Sequence, residues 1–333
     1  MTAATSSVRS SSRMNAIVRG HATAALSQLA AAGAVIVLAV VLTFAAPAFL
    51  TSTNLFNIGV QTSITAAMAI GLTFVIITAG IDLSVAASAG LAGIVGAKLI
   101  AGAGAPAAIG ILGGVGIGGV VGLGNGLLVA WAGLAPFIAT LGMMIVAQGG
   151  VLLVSNALPI PLPNSFDWLG AGSFEGLPVP ALFVVGLAIA AHLLLTRAKV
   201  GRYFYALGSS PEAARLSGIS ARRYLPLAYV LCGLLAGFAG MLSTSQTVSG
   251  QPNYDPNLAL DAIAAAVIGG ASLFGGEGTI FGALLGALLI GVVDNGAVLL
   301  NVNPYWQDVI LGALIWLAVL FDQARRRRLA AVG

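Results

Sequence analysis

The chain has 333 residues, of which 59% are hydrophobic and only 7% charged, with a formal net charge of +4. A soluble domain carries about 25% charged residues, so a surface this poor in charge excludes water as the main solvent and points to lipid. The basic balance, with a pI of about 9.6, does not imply nucleic acid, because the charges fall at the ends of apolar runs.

In chain order, residues 1–28 are rich in Ser, Thr, Ala and Arg and read as a loosely ordered tail. Ten apolar runs follow, at about 29–49, 60–80, 83–101, 106–131, 135–155, 178–196, 225–246, 259–274, 279–299 and 306–321. A crossing helix needs about 20 apolar residues, whereas a barrel strand needs roughly ten of alternating polarity. The runs are continuous, which predicts an all-α, polytopic bundle of about ten spans. The 45 glycines suit closely packed membrane helices. The first run follows a basic start, as a cleavable leader does. Its length and the long polar leader favour a retained span, although Ala45-Ala46-Pro47-Ala48 is compatible with cleavage. Very short polar breaks separate the run 60–80 from 83–101 and the run 259–274 from 279–299.

Charge placement sets the orientation. Arg9, Arg13 and Arg19 precede the first run. Arg197, Lys199, Arg202, Arg215, Arg222 and Arg223 lie between the sixth and seventh, and Arg325, Arg326, Arg327 and Arg328 follow the last. Basic residues near span ends stay cytoplasmic. Ten spans put all three groups, and both termini, on the cytoplasmic side, with Lys98 as the exception. Loop 157–177 has no Lys or Arg but carries Asp167 and Glu175, as an outer loop should. The expected organisation is a tail over 1–28, a membrane domain over 29–322 and a basic tail over 323–333.

Several chemistries find no support. The sequence has no Gly-x-x-x-x-Gly-Lys-Ser/Thr loop, and neither lysine follows a glycine, so ATP binding of that kind is excluded. His21 and His192 are the only histidines, and no His/Cys cluster has metal-ligand spacing. No Ser/His/Asp set can be assembled from them. Cys232 is the lone cysteine, in an apolar run, and reads as a packing residue. Neither enzyme chemistry nor a cofactor is expected.

The basic loop carries a further signal. Pro211, behind Ser209 and Ser210, predicts a helix start. Glu212 falls in the first turn, where the helix dipole favours an anion, and Gly218 ends the helix. The segment Glu212-Ala213-Ala214-x-x-x-Gly218 resembles the cytoplasmic coupling helix of ABC importer permeases. That resemblance implies docking on an ATPase, with Ala213 and Ala214 allowing close approach and Glu212 and Arg215 offering charged contacts. An ordinary solvated loop helix is the plainer alternative.

Wider motifs, spread over about residues 50–322, support the same family. They include Asn54-Leu55-Phe56-Asn57-Ile58, Thr78-Ala79-Gly80-Ile81-Asp82-Leu83-Ser84-Val85, Pro136-Phe137-Ile138-Ala139-Thr140-Leu141, Gly201-Arg202-Tyr203-Phe204-Tyr205-Ala206-Leu207-Gly208, the stretch from Leu260 to Gly270, and Gly275-Gly276-Glu277-Gly278. In order and at matching spacing they resemble ABC importer permeases of the ribose/xylose/galactose type. One departure is Glu277, where the ribose branch carries a basic residue. The resemblance implies a second permease copy, a cytoplasmic ATPase with two nucleotide-binding domains that hydrolyses the ATP, and an extracytoplasmic sugar-binding protein.

Ionisable groups at membrane depth need a reason. Asp82, between Gly80 and Ser84, sits in a helix break and is expected to hold a hinge, line a path or cap the next helix. Asp261 lies two residues into the eighth run, where an acid in a first turn is ordinary helix chemistry. Asn57, Asn125, Asp294 and Asn295 are further path candidates, and Thr140 and Gln148 are expected to bond between helices. Neutral polar groups suit a sugar. Other cargoes, such as a branched-chain amino acid or a furanose-like signal, and an ion-driven secondary transporter are the competing readings.

Overall fold

The structure is a computed structural model that describes residues 28–331. The expected N-terminal tail, with Arg9, Arg13, Arg19 and His21, lies outside them. The helices are α1 (Gln28–Ala45), α2 (Ser52–Ile77), α3 (Val85–Ala97, continued by a π-turn over Lys98–Gly102), α4 (Ala107–Ala130), α5 (Pro136–Ser155) and α6 (Val179–Arg197). They continue as α7 (Lys199–Ser209), α8 (Pro211–Leu216), α9 (Ala221–Gln246), α10 (Asn257–Ile268), α11 (Ile280–Leu299) and α12 (Pro304–Ala331). A 3-10 helix over Asn164–Leu169 and four two-residue strands complete the regular elements of the described residues: Ile160–Pro161 pairs with Ser249–Gly250, and Ser173–Phe174 with Leu177–Pro178, both antiparallel.

Among the described residues, eight helices are long and apolar enough to cross a membrane: α1 to α6, α9 and α11. That is two fewer than the ten runs predict. The expected span 259–274 is the 12-residue α10, which rises only about 18 Å against a core of about 30 Å. It stops where Gly269 and Gly270 follow, Gly270 being left-handed at φ 98°. The last run forms the 28-residue α12, which continues through the expected tail; the side chains of Arg325 to Arg328 lie outside the described residues.

The core is built around α2, in which every residue from Thr65 to Ile77 is buried. Its start is capped by Thr51, whose hydroxyl accepts the Asn54 N–H. Its end turns at Ala79, left-handed at φ 61°, where the Gly80 N–H bonds back to the Val75 carbonyl. Helix α9 runs beside α2, with α4 on its other side. That contact needs glycine at four-residue intervals on α4. A Cβ at Gly118 would lie 2.2 Å from the Gly233 carbonyl oxygen, one at Gly122 2.1 Å from that of Tyr229, and one at Gly126 2.4 Å from the Pro226 Cα. Backbone-to-backbone contact replaces the hydrophobic drive that lipid does not supply.

Lys98 donates to the Val154 carbonyl at 2.8 Å, placing its charge at the C-terminal end of α5, where the helix dipole favours a cation. That contact accounts for the one basic residue outside the three groups.

Candidate functional site

The α2–α3 break holds Asp82, the one charged residue that is fully buried among the described residues. Asp82 Oδ1 accepts the Ser84 N–H at 2.9 Å and the Ser84 hydroxyl at 2.6 Å. Asn125 Nδ2, from α4, reaches Ser84 Oγ at 2.8 Å and both Asp82 oxygens at 3.3 Å. The Thr140 hydroxyl, from α5, lies 3.3 Å from the Ile81 carbonyl. Asp82, Ser84, Asn125 and Thr140 are all buried, and the Cys232 thiol of α9 reaches Asp82. Residues from the break, α4, α5 and α9 therefore meet there. Ser84 sits at the N-cap of α3 without a side-chain cap bond; Asp82 satisfies the Ser84 N–H instead, as an Asx turn does.

Gly80 serves space rather than backbone conformation. A Cβ there would lie 2.6 Å from the Tyr229 hydroxyl oxygen and 2.9 Å from Val75 Cγ1, and the left-handed residue is its neighbour Ala79. Beside the network, Tyr229 Oη and Asn125 Oδ1 are buried without a hydrogen-bond partner among the described residues. A buried polar group left unpaired costs about 1–3 kcal/mol, so a rearrangement that pairs them would be compensated.

The other predicted residues lie elsewhere. Asn295, on α11, exchanges two side-chain hydrogen bonds with Asn54 on α2, at 2.9 and 2.8 Å. Asn57, one turn further along α2, is exposed, as is Gln148 on α5. The buried partner was Asn54, which the sequence showed only inside a longer motif. Asp294 is half-buried and lies near Asp261, with Asp255 and Asp308 as further acidic neighbours.

The basic loop is mostly helical. Helix α7 buries Gly201, Phe204, Leu207 and Gly208, with the Phe204 ring edge-on to Phe74 of α2 at 6.1 Å. The Tyr205 hydroxyl donates to the Gly278 carbonyl at 2.7 Å, and burial pushes its pKa up to about 12. Helix α8 begins as predicted: the Ser210 hydroxyl accepts the Ala213 N–H, Pro211 occupies the first turn, and left-handed Gly218, φ 79°, follows the end. Ala214 is buried, so it faces the protein. Glu212, Ala213 and Arg215 are exposed, and beside them Leu216 is 80% exposed, an apolar surface residue the motif did not flag.

Helix α7 reaches the break itself. A Cβ at Gly208 would lie 1.8 Å from the Ile77 carbonyl oxygen and 2.7 Å from the Gly276 nitrogen. The Gly276 N–H donates to that same Ile77 carbonyl at 2.8 Å. The end of α7, the end of α2 and the 269–279 connection thus meet backbone on backbone.

Membrane-length helices, a buried polar break and a short exposed helix tied to that break define a multi-pass transport subunit. The chain belongs to the family described as branched-chain amino acid transport system / permease component, which matches residues 54–319; it is a transporter permease and not an enzyme. It is 40% identical to the ribose import permease protein RbsC of Escherichia coli K12, over 88% of this chain and 92% of that protein. It is 40% identical to the D-allose transport system permease protein AlsC of the same strain, over 83% and 85%. It is also 40% identical to the probable ABC transporter permease protein y4mJ of Sinorhizobium fredii, over 94% of each chain. No solved structure matches.

Proposed function

We propose that the chain is the membrane-spanning subunit of an ATP-driven ABC importer for a monosaccharide, ribose or a similar pentose or hexose. It takes the sugar from an extracytoplasmic binding protein and releases it to the cytoplasm. Two permease copies sit in the bacterial cytoplasmic membrane on an ATPase with two nucleotide-binding domains, which hydrolyses the ATP. This chain holds no cofactor. The membrane domain over 29–322 has both tails, 1–28 and 323–333, in the cytoplasm. The similarity to ribose and D-allose permeases supports the cargo class.

The observation that carries the reading is the contact between Gly208 and Ile77. Helix α8 docks on the ATPase through Glu212, Ala213, Arg215 and Leu216. Only Ser210 separates it from α7, and α7 abuts the end of α2, so closure of the ATPase reaches the Asp82 break through rigid helices. Asp82, Ser84 and Asn125 hold that hinge.

The test is uptake into proteoliposomes containing the permease, its ATPase and its binding protein. Imported D-ribose, D-allose or D-galactose that depends on ATP supports the reading. Leucine is the control suggested by the family description, and its uptake in place of sugar would reassign the cargo. Uptake by the permease alone under an ion gradient would replace the ABC reading.

A further inference from the structure

An irregular segment joins α9 to α10. Helix α9 ends at Gln246 and α10 begins only at Asn257; between them the chain is irregular except for the strand Ser249–Gly250. Part of this segment turns inward: Gly250 and Pro252 are buried and Tyr254 is half-buried, while Gln251, Asn253 and Asp255 are exposed. Tyr254, Asp255 and Leu258 line one cleft with Ile64 and Met68 of α2. Met68 precedes the end of α2 by nine residues, about 13 Å of rise, while α2 itself spans about 39 Å. The cleft therefore reaches roughly to mid-membrane. It lies at the C-terminal end of α9, far from Arg222 and Arg223 at its start, so it opens away from the basic loop.

Irregular backbone at membrane depth is tolerated only where protein covers it or a watery cavity solvates it. Here it lines a cleft of about 220 Å³, room for about seven waters. Its polar wall carries Ser243 and Thr244 of α9 with Gln251 and Asn253 of the irregular segment. Tyr254 lies across α3, its ring atoms 2.8 Å from where a Cβ at Gly90 would be. No Lys or Arg lines the cleft, so a carboxylate or phosphate finds no cation. Hydroxyl and amide groups both donate and accept, as a polyol requires, and a tyrosine ring offers an apolar face with a polar edge.

We infer that this cleft is a sugar-holding site within the permease itself, taking a neutral monosaccharide between the Ser243/Thr244 wall and Tyr254. The inference rests on the importer reading above and adds where the cargo pauses. The site is distinct from the Asp82 break, which lies deeper, toward the basic loop, and is filled by its own side chains.

In the full importer, Ser243→Leu and Tyr254→Ala are each expected to lower ATP-dependent uptake of the transported sugar by about tenfold. Assembly with the ATPase and its stimulation by the binding protein should stay unchanged. A second measurement covers variants that fail to assemble: maleimide labelling of Ser243→Cys in the assembled permease. Millimolar D-ribose, D-allose or D-galactose, whichever the wild type imports, should slow that labelling, and leucine should not. Wild-type uptake by both leucine- and alanine-substituted variants, or labelling indifferent to sugar, would overturn the cleft while leaving the importer reading intact. A wild-type complex that imports no sugar would sink the importer reading, and labelling with the three sugars would still decide the cleft. Protection by leucine alone would overturn the polyol assignment.

Discussion

Asp82 is held by donors from its own loop and from α4, and that arrangement separates two substitutions. Asp82→Ala leaves the Ser84 N–H and the Ser84 hydroxyl without their acceptor, at about 1–3 kcal/mol for each unpaired group, while the Asn125 amide keeps Ser84 Oγ. Asp82→Asn keeps an acceptor oxygen in place. Uptake and thermal stability, measured with ATPase assembly monitored, should fall markedly for the alanine variant and less for the asparagine one; full transport by both would remove the hinge role. The Asn54–Asn295 pair is expected to show a coupling of about 0.6–1.7 kcal/mol in a double-mutant cycle with alanine, and no coupling would mean that each finds another partner. At this scale the residue types were legible and their partners were not. Asp82 with Ser84 announces a turn from adjacency alone, but Asn125 lies 43 residues from Asp82. Nothing local distinguishes buried Asn54 from exposed Asn57, because which side of α2 faces α11 is a property of the packing.

Helix packing makes its own predictions. Gly122→Val drives a side chain into the Tyr229 carbonyl and should cost upward of about 1–3 kcal/mol, with loss of folded protein from the membrane. Gly116, on the same helix, has nothing within 4 Å of where a Cβ would sit; Gly116→Ala should be neutral within about 0.5 kcal/mol. Equal thermal stability of the two variants would refute the α4–α9 contact. Gly208→Ala meets immobile backbone on two sides, so sugar import should fall more than ATP hydrolysis; a parallel fall in both would mean a purely structural role. The apolar runs marked most helices correctly, because a stretch near 20 apolar residues permits little else in lipid. Hydropathy overstated α10 at its C-terminal end, since the residues after Ile268 are apolar in composition but turn at Gly269 and Gly270 instead of continuing the helix.

For the molecule as a whole, orientation and docking are tested together. A cysteine replacing Leu216 should react with an impermeant reagent only from the cytoplasmic side and be shielded when the ATPase is bound. Leu216→Asp should release the ATPase from the membrane in co-purification while leaving the permease folded. Labelling from outside intact cells would reverse the topology and remove the docking role with it. The charge pattern is what predicts this arrangement, because basic groups near span ends resist translocation. Loop 157–177 folds over the end of α9, with the Ser249–Gly250 strand paired to Ile160–Pro161.

By itself, the sequence determined the solvent, the helical class, the position of most spans, the start and stop of α8 and the family to which the chain belongs. Each of these depends on composition or on residues within a few positions of one another. Only the tertiary structure decided that α7 touches the end of α2, that Asn54 pairs with Asn295, and that the α9–α10 segment lines a polar cleft with α2 and α3. Those features arise between segments far apart in the chain, where close backbone approach at glycine brings groups together that no local pattern encodes.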